Sequence, residues 1–315
     1  MVKAATPKTK YEPVFGWPEL PHPMAFKEAT SVGVDSEDRV YVFNRGRWPM
    51  MVFGRDGNFL ATWGAGDFDR PHGIHVDRED NLWLIDDMGH FVQKRTPKGK
   101  VLLTIGQRGK PAPWQGGGVF NRPTHVAVHP KTGDVFVSDG YGNSRVHRFD
   151  RKGKHLLSWG KPGSLPGEFS LPHNLCLLGD DRIVVCDREN FRLQIFTLDG
   201  QSVAQWHAHR PIAIFAGSGA DTNLYLGEAG APPVQAGVPG LGLRVIVLDR
   251  NGREVTRFGA AKGGEGPDQF LAPHGIAVDS EGSVYIAEVS YTAFGSLQVP
   301  PREVVSMRKW RRVNG

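Results

Sequence analysis

Apolar residues return along this chain in short runs broken by polar, glycine-containing turns. Four such runs make one unit, and the unit recurs at roughly 35–50 residues, the spacing of propeller blades. The clearest copy holds Pro71 to Asp77, Asn81 to Asp86, Phe91 to Arg95 and Lys100 to Gly106. Each run has strand length, and the breaks between them carry Asp, Asn and Gly. The pattern returns from Pro123 to Gly160 and from Pro172 to Trp206. It is looser from Pro211 to Gly259, begins again at Pro273, and has an earlier copy from Thr30 to Gly64. Turns at Arg55-Asp56-Gly57-Asn58, Arg151-Lys152-Gly153-Lys154, Leu198-Asp199-Gly200-Gln201 and Arg250-Asn251-Gly252-Arg253 keep the register, as hairpins require.

Six copies predict an all-β, six-bladed β-propeller. The last copy is short of a strand, and Tyr11 to Trp17 is expected to supply it and close the ring. Closure removes exposed sheet edges. The chain therefore reads as one propeller domain over 11–315, preceded by a basic, disordered lead-in over 1–10. Forty glycines and 23 prolines suit a turn-rich β chain. No run of about 18 apolar residues predicts a membrane span. With no hydrophobic signal core near the start, a cytoplasmic location is expected. The net charge of +5 is concentrated in part in Arg302, Arg308, Lys309, Arg311 and Arg312. No aromatic-and-basic motif accompanies that cluster, so nucleic acid is not an expected partner. Cys176 and Cys186 fall on neighbouring strands of one blade and read as buried free thiols. The oligomeric state is left open.

Three histidines share one place in the repeat: His72 after Pro71, His173 after Pro172 and His274 after Pro273. Their spacing is equal, 173 − 72 = 101 and 274 − 173 = 101. In a six-membered ring they occupy alternate blades and stand about a three-fold axis. Three imidazoles converging on an open fourth position form the geometry of a catalytic zinc. A single histidine at a strand start is ordinarily a hydrogen-bonded surface residue; it is the equal spacing that points to metal. His125 follows Pro123-Thr124 one position later and should face the other way. His22, His75, His129, His147, His155, His207 and His209 share no such register and read as structural.

In a propeller the loop into the first strand and the loop between the second and third strands open on one face. The second kind of loop carries Asn44 to Arg47, Asp86 to Met88, Asp139 to Arg145, Asp187 to Asn190, and Glu288. Their bland reading is turn chemistry, because Asp and Asn bond readily to nearby backbone. Tyr141 and Arg188 are the side chains there best suited to act on a small molecule.

The stretch Phe120 to Thr124, Val135 to Arg145, Pro166 to His173 and Cys186 to Asn190 resembles the peptidyl-α-hydroxyglycine α-amidating lyases. The resemblance runs from about residue 26 to 310. It implies a propeller of NHL-type repeats with zinc, or another divalent metal, on His72, His173 and His274. It further implies a tyrosine base at Tyr141 and substrate-binding arginines at Arg45 and Arg188. The implied reaction breaks the C–N bond of R–CO–NH–CH(OH)–COO⁻ to give a primary amide and glyoxylate, so the expected partner is a small carbinolamide. A phenol needs nearby cations to act as a base near neutrality, and an arginine fork matches a carboxylate. Two positions depart from the family. Gly275 stands where an aspartate helps hold a structural calcium, which argues against calcium. Gly142 stands where the family has a cysteine, so the corresponding disulfide is absent. Residues 230–240 lengthen the fifth blade's loop, at a place where it could cover the mouth. Two other readings are a lactonase-like metal-dependent propeller hydrolase and a non-enzymatic NHL-type binding scaffold.

Overall fold

The alternation of apolar strand and polar turn closes on itself. A computed structural model describes residues 9–235 and 237–313. Among these residues, 24 strands form six four-stranded antiparallel sheets. Blade one begins with Ala29–Val34, blade two with Pro71–Val76 and blade three with His125–Val128. Blades four, five and six begin with Pro172–Leu178, Pro211–Ala216 and Pro273–Val278. These first strands line the central channel. Blade six takes its outer strand from the start of the chain: Lys10–Val14 pairs with Met307–Val313, Tyr11 opposite Arg312. The closing strand begins at Lys10, inside the stretch expected as a lead-in. Residues 1–8 of that stretch lie outside the described residues.

The core is a series of seams between neighbouring blades. Phe136 and Val146 of blade three pack with Leu175, Ile183, Val185 and Phe196 of blade four. Blades two and three meet through Trp83, Ile85, Val92, Val126, Val135 and Val137. Each blade thus buries both faces, which is how small sheets become stable in a ring. Outer-strand aromatics explain one recurring turn glycine. Gly200, at φ +79°, lies flat against Trp159 of the preceding blade, and a Cβ there would stand 2.7 Å from the indole. Only glycine satisfies both the left-handed backbone and the close approach.

The two cysteines sit on adjacent strands, Pro172–Leu178 and Arg182–Asp187, and both are buried free thiols. Burial pushes both thiols up, away from the reactive thiolate. No helix among the described residues is long and apolar enough to cross a membrane.

Candidate metal centre

At the last position of every second strand stands a buried side chain that holds the loop feeding the first strand. Asn44 accepts from the Glu28 amide, Asp86 from Arg70, Asp139 from Asn121, Asp187 from Ser170, Glu228 from His209, and Glu288 from Leu271 and Ala272. All six residues are at most 2% exposed. These five acidic residues and Asn44 are therefore staples that fix the channel strands, rather than groups facing the mouth.

Five of the six channel strands also carry a register shift at the start. It follows Ala29, Pro71, Pro172, Pro211 and Pro273. A bulge re-aims a side chain, and in blades two, four and six the residue in the bulge is His72, His173 or His274. Their ligand atoms all lie within 4.8 Å of one another. The ring centroids stand 4.7 to 5.1 Å apart.

The intervening blades orient these rings. Nδ1 of His72 lies 2.7 Å from the carbonyl of Thr124, Nδ1 of His173 2.7 Å from that of Ile212, and Nδ1 of His274 2.6 Å from that of Thr30. A carbonyl only accepts, so each Nδ1 carries a proton and donates it. Burial holds all three imidazoles neutral; the other histidines and Arg45 or Arg188 add to the effect. His72 and His173 are driven well below the usual range and His274 down to about 3. A neutral ring protonated at Nδ1 presents a lone pair at Nε2. The donor set, its supporting carbonyls and its burial all fit a divalent metal.

Tyr141 reaches the same point from the blade-three loop. Its hydroxyl is 3.1 Å from Nε2 of His72 and 3.0 Å from Nε2 of His173. Arg45 donates through Nε to the Pro71 carbonyl at 2.9 Å and through an Nη to Glu28 at 2.9 Å. Its second Nη is buried with no partner among the described residues. Arg188 lies in a short helical turn, Arg188–Asn190, with Nε bonded to Glu189 at 2.7 Å. His72, His173, His274 and Tyr141 thus meet at one point; Arg45 is bonded beside His72 at Pro71, and Arg45 and Arg188 lie near enough for their charges to help hold His274 neutral.

The sequence did not single out Arg122. Its guanidinium stacks 4.7 Å from the Tyr141 ring centroid, and it pairs at 3.0 Å with buried Asp87. Its only trace in sequence is a cation just before the blade-three Pro123. Glu28, the partner of Arg45, was missed as well. His125 is not one of the three converging rings. It borders a chamber of about 1040 Å³ on the far side of the triad, together with His75. Burial pushes His125 down to about 3 and His75 to about 4. The blade-five loop packs on the segment before Pro211: Arg210 donates to the Gly230 carbonyl at 2.7 Å, and His209 contacts Gln235 at 3.2 Å. At Gly275 a Cβ would stand 2.5 Å from the Ser31 Cα. That leaves no room for a side chain at this position. A Cβ at Gly142 would strike the side chain of Asn121.

The chain matches the NHL repeat model at residues 120–149 and 169–196. It is 30% identical over 305 residues to the peptidylglycine alpha-amidating monooxygenase of Rattus norvegicus, covering 83% of this chain and 29% of that protein. It is 33% identical over 262 residues to peptidyl-alpha-hydroxyglycine alpha-amidating lyase 1 of Drosophila melanogaster, covering 74% of this chain and 45% of that one. The chain therefore spans about a third to a half of these relatives' length. Among solved structures, virginiamycin B lyase from Staphylococcus aureus superposes with a TM-score of 0.57 at 17% identity, over 93% of this chain and 83% of that one. At that identity the likeness concerns the fold alone.

Proposed function

We propose, from its membership of the NHL-repeat propeller family that includes the peptidyl-α-hydroxyglycine α-amidating lyases, that this chain is a metal-dependent carbon–nitrogen lyase acting on an α-hydroxyglycine-type carbinolamide. The observation that carries the reading is the meeting of three imidazole Nε2 atoms with the Tyr141 hydroxyl, 3.0 Å from His173 and 3.1 Å from His72. A divalent cation such as zinc, held by His72, His173 and His274, supplies Lewis acidity at this point when bound.

The chain's own residues account for the rest. Arg45, one Nη of which has no partner among the described residues, and Arg188 bind the substrate carboxylate. Tyr141 takes the proton of the substrate hydroxyl. As that O–H bond breaks, the oxygen electrons form the C=O of glyoxylate. The C–N pair leaves with nitrogen, which takes up one proton in exchange for the one given to Tyr141 and becomes the primary amide, so that no proton is gained or lost over the cycle. Arg122 keeps the Tyr141 ring against the histidines while the proton moves.

The test pairs metal analysis of the purified protein with glyoxylate release from α-hydroxyhippurate. About one divalent metal per chain with stoichiometric glyoxylate supports the lyase. Benzoate in place of benzamide, or no product with metal bound, turns the reading toward a hydrolase. No metal taken up and no turnover would leave the binding scaffold.

A further inference from the structure

The two arginines that take the substrate carboxylate are held in one manner. Arg188 gives its Nε to Glu189 at 2.7 Å, and neither Nη has a hydrogen-bond partner among the described residues. Burial first, then neighbouring charges, hold His173 and His274 neutral, and Arg188 is among those charges. Glu189 is in turn gripped by Arg210, through Nε at 3.2 Å and an Nη at 2.9 Å. The other Nη of Arg210 donates to the Gly230 carbonyl at 2.7 Å, at the root of the blade-five loop. Arg45 gives one Nη to Glu28 at 2.9 Å. Glu28 is buried and is met from the blade-six loop by Thr292, whose amide donates to it at 2.6 Å and whose hydroxyl donates at 3.0 Å. Each arginine thus leans on a carboxylate, and each carboxylate is fixed by a residue of another blade.

A carboxylate beside an anion-binding arginine has two opposed effects. Its charge weakens the pull on a substrate carboxylate. Its hydrogen bond fixes a long side chain that would otherwise have to be ordered when substrate arrives. Arg210 offsets the charge of Glu189, so the ordering remains as the larger effect there. We infer that Glu189 and Glu28 are positioning residues that orient Arg188 and Arg45 before substrate binds, and that Arg210 and Thr292 make the loops of blades five and six part of the carboxylate grip. The inference rests on the lyase reading above and concerns how the carboxylate is held, whatever acyl group is carried.

The test is a double-mutant cycle on the metal-loaded protein. Calorimetry reads binding of hippurate, which carries the carboxylate and cannot react, and glyoxylate release from α-hydroxyhippurate is read in parallel. Glu189→Asp keeps the charge and shortens the reach. It should weaken hippurate about fivefold, the size of ordering one long side chain. It should raise the KM of α-hydroxyhippurate by the same factor, with kcat and melting temperature held, because the grip is the same before and during the reaction. After Arg188→Met the same change should leave affinity unaltered. Thr292 is exposed; Thr292→Val removes one hydrogen bond from Glu28, should weaken hippurate about threefold, and should do nothing after Arg45→Met. An effect of equal size with and without the arginine, or an affinity that Glu189→Asp and Thr292→Val leave unchanged, overturns the positioning role. Wild-type protein that binds hippurate and shows the cycle, yet releases no glyoxylate, keeps the grip and removes the lyase. Wild-type protein that does not bind hippurate removes the grip itself.

Discussion

Blades two, four and six share a histidine at a channel position where blades one, three and five have none. The first set carries His72, His173 and His274; the second carries Thr30, Thr124 and Ile212 at the matching places. The histidine blades give side chains to the axis, and the intervening blades give backbone carbonyls to the Nδ1 atoms of those side chains. Two equivalent positions thus do different work because one contributes a side chain and the other a peptide group. Ile212 serves as well as a threonine because its carbonyl does not depend on its side chain. Three side chains thus converge on the axis while the backbone of the other three blades orients them.

The comparison breaks most sharply at a histidine blade. His173→Ala should lose bound metal and turnover together, by more than the ~10–100-fold typical of a lost supporting group; metal per chain and glyoxylate rate are the readouts. Metal at the wild-type level in this variant would end the three-histidine assignment. Tyr141→Phe should keep the metal and lower kcat by roughly 10²–10⁴-fold, the range of general acid–base catalysis. Unchanged kcat with metal bound would remove the tyrosine base.

The histidine register was legible because it depends on counting: equal spacing and a shared proline survive in any alignment of the repeats with one another. The closing strand and the two free thiols were legible for the same reason, since period-two apolar patterning reports strands directly. The supporting groups were not. A backbone carbonyl has no residue type, so nothing at Ile212 announces that His173 depends on it. The bulges that aim the histidines arise from pairing between strands, which the sequence of one strand does not encode. Asp86, Asp139 and Asp187 looked like mouth residues because their loop opens on that face, yet each turns inward to hold backbone amides. Arg122 meets Tyr141 only after the loop folds over it.

An intervening blade should respond in the opposite manner to a histidine blade. The Thr124 hydroxyl lies 2.8 Å from the Ser138 hydroxyl and 3.0 Å from the Pro172 carbonyl, while its own carbonyl serves His72. Thr124→Val keeps that carbonyl and removes the hydroxyl. It should lower stability by about 1–3 kcal/mol through the partners left unpaired, seen in denaturant unfolding, while metal content stays near wild type. A loss of metal comparable to that of His173→Ala would mean that the side chain, and not the peptide group, supports the centre.

The smallest effect concerns a histidine on a histidine blade that stands outside the triad. His75 follows His72 by three residues, faces the far chamber, and is held by burial at about 4, against 6.5 for the free side chain. The unfolded chain therefore takes up this proton first as pH falls. The stability tied to neutral His75 is fully present above pH 6.5 and is lost as pH falls toward 4. One such group contributes at most about 1.4 kcal/mol per pH unit in that window, and less here because the ring borders a chamber. His75→Gln should flatten the fall in melting temperature of the metal-free protein between pH 6.5 and 4.5 and leave metal binding at neutral pH unchanged. An unaltered slope would mean that His75 stays solvated enough to titrate as it does in the unfolded chain. A drop in metal binding would mean that the chamber and the triad are one site, and the separation of ligand from non-ligand histidines along the same strand would have to be given up.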